Sequence, residues 1–372
     1  MDNTPLQQRS VLLTTFLLAG ISLLLGIQAV SAATLDKSSS TADDSSATAA
    51  RRQQLEKIVV AKLAFYSAHY PDMNFVVLDS AGDIKRNMHA LAKIIGQDPI
   101  PLDYEHPKGL RQGLLMATLM RIEILLQTDV GSATLFKPGS GAIARRKRVC
   151  VITINPWAIA ADDRAATSHL LDLPPQAFNA VPPENYLDHV SHLKFALDHE
   201  IYHCLDATYN GAMPMSQLKH WGGYNDYKDE SGADAFGILM NIAEHGSITA
   251  YARMLRNIRG LTLLSGDTDH YTYRSIGAAL RIEPDTLKGK DVKAIFQLAS
   301  RLRDKVVGSY NDYLCYVSAA NQAMKLLGAE PYVEQECDVK PDDATVSRLL
   351  DATKDAYRKL TGKAMPEPAV SK

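Results

Sequence analysis

The sequence predicts an α+β protein that is rich in helices and carries a small sheet. Apolar residues recur at helical spacing in several segments, namely 55–66, 114–126, 292–302, 310–327 and 346–360. Two short apolar runs, 74–78 and 149–155, have the composition of buried strands. At 372 residues, 46% of them hydrophobic, the chain is long enough for one large domain or two close subdomains.

The chain begins with a segment typical of a secretory signal. Arg9 precedes an apolar run over 11–30, and the small residues Ser31, Ala32 and Ala33 end it. We therefore expect residues 1–32 to be a signal peptide and the protein to be exported, either periplasmic or secreted. The run is long for a signal, so an uncleaved membrane anchor remains an alternative. Residues 33–50 are mostly Ser, Thr, Ala and Asp and predict a flexible spacer.

The elements that follow are delimited by prolines, glycines and capping residues. Pro71 ends the first helix, and the strand over 149–155 follows a loop at 137–141. A proline-rich loop over 174–183 leads into a helix that we place at 186–208. Glycines and a proline over 210–225 predict a loop that covers a cleft, with Trp221 and Tyr224 as pocket walls. A second helix is predicted at 227–244, and Ser247 is expected to cap a third over 248–258.

Charge argues against a nucleic acid as partner. Lys and Arg together number 40 against 42 Asp and Glu, so the formal net charge is −2. The basic run at 145–148 is better explained as the solvated entry to a strand.

The segment with the clearest chemistry is the His-Glu-x-x-His pattern at 199–203. Residues four apart share one helical face, so His199 and His203 can bind one metal ion. Glu200 then lies near enough to take a proton from water at that metal. Coincidence is the alternative, in which two ordinary histidines and a solvated glutamate match the pattern by chance.

A second pattern, Glu-x-x-x-Asp at 230–234, supports the first. A catalytic zinc takes three protein ligands, and Glu230 is suited to be the third. Asp234 lies one turn further along and is suited to accept a hydrogen bond from a zinc-binding histidine. An ordinary acidic helix start is the alternative explanation of both residues.

Together the two patterns resemble those of the gluzincin zinc metallopeptidases, over roughly residues 149–252. The resemblance implies a zincin-like core in which an antiparallel pair of helices binds one Zn²⁺ through His199, His203 and Glu230. It also implies that Glu200 is the catalytic base and that Asp234 supports a ligand. The metzincin extension is excluded, because Asp206 and Tyr209 stand where that class has Gly and His.

Two further expectations come from the resemblance. Gluzincins commonly supply a downstream His or Tyr that stabilises the oxyanion, and His270 is our candidate, with Tyr271 and Tyr273 as alternatives. A surface turn explains the same residues equally well. The strand over 149–155 would be the edge that pairs with an extended peptide substrate, although a core strand fits the sequence equally well.

The four cysteines suggest disulfides in an exported protein. Cys315 and Cys337 are the nearest pair in sequence and the one we favour. Pairing of Cys150 with Cys204 is consistent with the zincin arrangement of strand and helix.

The sequence thus predicts an exported zinc metallopeptidase that acts on a peptide or protein substrate and meets a membrane only through its N-terminal segment. Residues 51–260 would form the catalytic part, 261–362 a helical C-terminal subdomain, and 363–372 a loose tail. Two alternatives remain: a cell-wall peptide amide hydrolase on the same zinc scaffold, and a non-catalytic zinc-bearing exported protein.

Overall fold

The computed structural model of the chain describes residues 42–78, 132–136, 148–171, 178–211, 215–330 and 340–366. Several sequence predictions lie outside these ranges: the signal peptide, the helix over 114–126, the loop over 137–141 and Cys337. The chain divides into two compact units, Met1–Thr48 and Ala49–Lys372, and of the first only 42–48 is described. Among the helices of the described ranges, none combines the length and apolarity that a membrane span requires.

The described part is helix-rich with a small mixed sheet, in agreement with the predicted α+β class. Its helices and strands have the following bounds: α1 Ala42–His69, β1 Met73–Leu78, β2 Ser132–Phe136, β3 Arg148–Thr153, α2 Pro156–Ile159, α3 Asp163–Leu170, α4 His189–Asp206, α5 Met215–His245, α6 Ala250–Arg259, α7 Tyr273–Ala279, α8 Val292–Val307, α9 Tyr310–Leu327 and α10 Asp343–Thr361. Short 3₁₀ turns occur at 183–185, 262–265 and 284–286, and a π-helical turn follows α4 at 207–211.

The sheet has the order β1-β3-β2. Strand β3 pairs with β1 in parallel and with β2 in antiparallel orientation. It is therefore the central strand, and Val149 to Thr153 are almost fully buried. The prediction that this strand is an exposed substrate-binding edge was wrong, because both of its backbone edges are already paired. The edge next to α4 belongs to β2, which the sequence analysis did not predict.

Two helices begin earlier than expected. Helix α1 starts at Ala42, so the predicted spacer is helical from that residue onward. Alanines at 47, 49 and 50 favour a helix. Helix α5 starts at Met215, so most of the predicted loop over 210–225 is helical as well. Tyr224 is buried there and donates a hydrogen bond to the Gly308 carbonyl at 2.9 Å.

Other boundaries agree closely with the sequence. Asp291 caps α8, and Gly362 ends α10 with a φ of 70°. Helix α6 is capped by Thr249 rather than by Ser247, since the Thr249 side chain accepts the Ala252 amide hydrogen.

One hydrophobic core includes residues from both predicted parts, the catalytic part at 51–260 and the C-terminal subdomain at 261–362. Helix α4 packs against α5 and the sheet, while α7 and α8 pack against α5 from the C-terminal part. One buried cluster includes Ile152, Leu197, Phe236, Ile276 and Phe296. The predicted boundary therefore lies within one continuous core.

Two glycines let α4 and α5 approach closely. A Cβ atom at Gly232 would collide with the Tyr202 side chain, and one at Gly237 would come within 2.6 Å of the Phe195 ring. The helices that carry the two sequence patterns are therefore in direct contact.

A disulfide joins Cys150 on β3 to Cys204 on α4, with their Cα atoms 5.8 Å apart. This confirms the pairing of Cys150 with Cys204 that the sequence analysis considered. Cys315 is exposed with a free thiol, and its favoured partner Cys337 lies outside the described residues. The Cys315–Cys337 bond stays a prediction.

Candidate metal centre

The structure brings the side chains of His199, His203 and Glu230 together. The two histidines lie one turn apart on α4, and their Nε2 atoms are 3.3 Å from each other. Glu230 comes from α5. One ligand atom from each of the three residues lies within 4.8 Å of the other two, so the group is able to hold a metal ion.

The Glu230 carboxylate lies at the centre of this group. Its Oε2 atom is 3.1 Å from Nε2 of His199, and its Oε1 atom is 3.6 Å from Nε2 of His203. Oε2 is buried, yet it has no hydrogen-bond partner with acceptable geometry among the described residues. The imidazole nitrogens thus surround the carboxylate without satisfying it.

Asp234 fixes the orientation of His199. It lies one turn after Glu230 and is fully buried, and its Oδ1 atom is 2.8 Å from Nδ1 of His199. A salt bridge from Arg259, with Nε 2.8 Å from Oδ2, and a hydrogen bond from the Thr272 hydroxyl complete its contacts. Burial raises the pKa of Asp234, but Arg259 and His199 outweigh this effect and lower it to about 2. The carboxylate is therefore ionised, and His199 donates from Nδ1.

The charges at the centre shift the pKa values of the two histidines in opposite directions. Burial lowers the pKa of His199, but the carboxylates of Glu230 and Asp234 together raise it to about 10. Burial lowers the pKa of His203 to about 4, against a partial opposing effect of Glu230. His203 is thus neutral at pH 7, and a proton on His199 offsets the two carboxylates.

These donor atoms fit a divalent metal. A neutral His199 that donates from Nδ1 presents the lone pair of Nε2 to the Glu230 carboxylate. Two imidazole nitrogens and a carboxylate oxygen at these separations are electron-rich, and they require either a proton or a cation between them. Two His and one Glu form a donor set typical of catalytic zinc.

Glu200 points into the same region and has an unsatisfied oxygen. The residue is 8% exposed, and its Oε2 atom is buried without a hydrogen-bond partner in the described part of the chain. Burial raises the pKa of Glu200, His199 opposes this effect, and the resulting value is about 7. A carboxyl group with a pKa near neutrality can both accept and return a proton at physiological pH.

His270 reaches the centre from the segment before α7. Its Nε2 atom lies 3.4 Å from Oε2 of Glu230, and its Nδ1 atom lies 2.6 Å from Oδ2 of Asp267. Burial lowers the pKa of His270, but Glu230 and Asp267 raise it above its ordinary value. The imidazole is 40% exposed and is held as a hydrogen-bond donor at the open side of the centre. Of the alternatives, Tyr271 is fully buried in a tyrosine-rich cluster.

Sequence analysis missed several residues that support this centre. Arg259 lies on the apolar face of α6 with Leu255 and Ile258, and an arginine within an apolar stripe was the available signal. Thr272 and Asp267 carried no such signal, because loops alone bring them to Asp234 and His270. His192 also carried no sequence signal of its burial. It is fully buried, with its Nδ1 atom 3.2 Å from the Tyr251 hydroxyl.

The chain matches no protein-family model, and no curated protein or solved structure is significantly similar to it. Functional inference therefore depends on the chemistry of the centre.

Proposed function

We propose that this protein is an exported zinc-dependent metallopeptidase of the gluzincin type, with α4 and α5 as an antiparallel pair of zinc-binding helices in a zincin-like core. One observation carries the proposal. Glu230 comes together with His199 and His203 while Asp234 fixes the tautomer of His199. If the His-Glu-x-x-His pattern were a coincidence, there would be no reason for Glu230 and the buried Asp234, both on α5, to lie beside its histidines.

The first role of the chain is to hold the ion. His199, His203 and Glu230 would be its ligands, and a zinc ion bound there supplies a Lewis acid that polarises a carbonyl and lowers the pKa of water. Asp234 orients His199, and Arg259 and Thr272 hold the Asp234 carboxylate in place. Such supporting contacts orient a metal-binding imidazole and raise its basicity.

The second role is proton transfer by Glu200. Burial raises its pKa to about 7 in the metal-free chain. Beside the metal, this carboxylate would take a proton from the attacking water and deliver that proton to the amine that leaves. Its unsatisfied Oε2 atom is available for this exchange.

The third role is charge stabilisation by His270. Its Nε2–H group is suited to donate a hydrogen bond to the oxygen that gains negative charge as the carbonyl is attacked. Asp267 accepts the Nδ1–H group of the same ring, and it also accepts the His270 amide hydrogen at 3.0 Å. The ring is therefore held in one orientation.

The experiment that tests this function compares the parent with Glu200→Gln and His199→Ala. The parent should contain about one zinc per chain and cleave peptides from a mixed library. Glu200→Gln keeps nearly the same volume but cannot take a proton, so zinc content and melting temperature should persist while cleavage falls about 10²–10⁴-fold.

The matched variant His199→Ala should lose zinc together with activity. Full cleavage by Glu200→Gln would exclude the mechanism. Folded parent protein that takes up no zinc under zinc-replete conditions would exclude the function.

A further inference from the structure

A second feature of the molecule, an open groove of about 700 Å³, takes no part in the chemistry proposed above. It lies between α1, α4, the last turns of α5 and the start of α8. None of the candidate metal ligands lines it. Its volume lies within the range of about 300–1,000 Å³ that is typical of small-molecule sites.

One wall of the groove is a single face of α1. The lining residues of this helix stand at 54, 57, 58, 61, 62, 65 and 69, which is the spacing of one helical face. At 1.5 Å per residue this face extends about 22 Å. The groove is therefore elongated, and a chain-like ligand suits it better than a compact one.

The floor of the groove is apolar. Met240, Val292 and Ile295 form it and are buried, and Ile58 and Val190 flank them. Phe65 lies at the mouth with 38% of its surface exposed, although it is a large hydrophobic residue. An apolar ligand would cover this surface and gain the free energy of its burial.

The rim of the groove is positively charged. Four lysines line it, at 57, 62, 194 and 290, against a single acidic residue, Glu244. Lys62 is paired with the buried Asp198 at 2.7 Å, and Lys194 is paired with Glu244.

The other two lysines, Lys57 and Lys290, are exposed and contact no carboxylate within the described residues. They come from two different walls, α1 and the segment before α8. The rim thus offers two unpaired ammonium groups to an anion.

We infer that this groove binds a long-chain fatty acid, with the alkyl chain on the apolar floor and the carboxylate at the lysines. A bound peptide would present backbone N–H groups along its whole length, and the lining offers few acceptors beyond Gln54 and Glu244. A fatty acid has one charged end, which suits the lysine rim, and no further polar groups that the apolar floor would leave without partners.

The test titrates zinc-loaded protein with dodecanoate, tetradecanoate and hexadecanoate below their micellar concentrations, using calorimetry and displacement of a fluorescent fatty acid. Binding should saturate at about one site per chain. Because each buried methylene adds a nearly constant increment of free energy, affinity should rise up to about tenfold for every two methylenes. Hexadecanol, which has the same chain without the charge, should bind at least about tenfold more weakly.

Two pairs of variants distinguish binding in this groove from nonspecific binding of fatty acid elsewhere on the protein. Lys57→Glu combined with Lys290→Glu should weaken hexadecanoate binding at least about tenfold by repulsion. Lys288→Glu combined with Lys354→Glu, the same double change at exposed lysines outside the groove, should leave it unchanged. Ala61→Trp should fill the groove and abolish binding, while Ala64→Trp, at an exposed position of the same helix outside the lining, should not.

Three outcomes would overturn the proposal: no saturable binding, equal affinity for hexadecanol, or binding to anionic vesicles without binding to free hexadecanoate. The last of these would identify the lysine rim as a membrane contact. Zinc content measured in every variant keeps this test independent of the metal centre.

Discussion

Nδ1 of His199 lies 2.8 Å from Oδ1 of Asp234, and both side chains are buried between α4, α5 and α6. Arg259 and Thr272 contact the same carboxylate, so Asp234 stays ionised and accepts the Nδ1–H group. Since that proton stays at Nδ1, the other nitrogen of His199 faces Glu230 with its lone pair whenever the ring is neutral. We therefore expect the zinc affinity of the proposed site to depend strongly on His199.

Asp234→Asn should lower zinc affinity about 10- to 100-fold, because the amide no longer fixes the His199 tautomer. It also leaves Arg259 buried without an anion, so the free energy of unfolding should fall by about 3–5 kcal/mol. Competition with a chromogenic chelator, measured well below the lowered melting temperature, reports the affinity. Glu244→Gln, the same chemical change at the far end of α5, is the control. Equal affinity in the two variants would show that Asp234 only stabilises the fold.

Zinc binding should release at least about one proton per chain at pH 8. The pKa of His199 in the metal-free folded protein is raised from 6.5 to about 10, so the ring is protonated there and must lose that proton to bind a metal. The sign for stability follows from the same shift. The proton on His199 stabilises the metal-free fold fully below about pH 6.5, and this contribution is lost as the pH rises towards about 10.

Calorimetric titration with zinc at pH 8, in two buffers of different ionisation enthalpy, measures the proton count. Asp234→Asn should release a smaller fraction of a proton, because one of the two carboxylates that raise the His199 pKa is gone. An uptake of protons, or none exchanged by the parent, would contradict the charge arrangement described here.

The sequence predicted the helices and the grouping of His199, His203 and Glu230 better than it predicted the sheet. Spacing alone brought His199 and His203 to one face of α4, and the helix of Tyr310–Leu327 has the predicted bounds. Strand β2 was missed, because its five residues, Ser-Ala-Thr-Leu-Phe, carry too short an apolar pattern. The expectation that β3 is an edge came from the gluzincin resemblance, and β2 occupies that side of the strand.

The supporting residues of the centre were missed for a different reason. Arg259 is 25 positions from Asp234, and Thr272 is 38 positions away. Neither has a fixed spacing to the motif. The turn between α5 and α6 sets the position of Arg259, and the 3₁₀ turn and loops between α6 and α7 set that of Thr272. The start of α5 was misjudged because the glycines at 222 and 223 were interpreted as loop residues.

The disulfide between Cys150 and Cys204 should contribute about 2–4 kcal/mol to the free energy of unfolding, because it closes a loop of 54 residues in the unfolded chain. Replacing both cysteines by serine should lower the denaturation midpoint. Denaturant titration measures the difference, and non-reducing peptide mapping checks the connectivity. A map that joins Cys204 to Cys315 or Cys337 would contradict the packing of α4 on β3.

His270→Ala should lower kcat about 10²–10³-fold, the usual loss when one oxyanion donor is removed, and should leave zinc bound. The reason lies in its position: Nε2 is 3.4 Å from Glu230 on the open side of the centre, and His270 does not belong to the group of His199, His203 and Glu230. Asp267→Asn should give a smaller loss of kcat, since the ring stays in place but loses the acceptor at Nδ1.

Steady-state cleavage of a peptide that the parent cuts, with zinc content measured on the same samples, separates three roles. Loss of zinc in His270→Ala would make the residue a fourth ligand, and an unchanged kcat would make it a surface histidine. A fall in kcat with zinc retained, reproduced in part by Asp267→Asn, is the result that supports charge stabilisation.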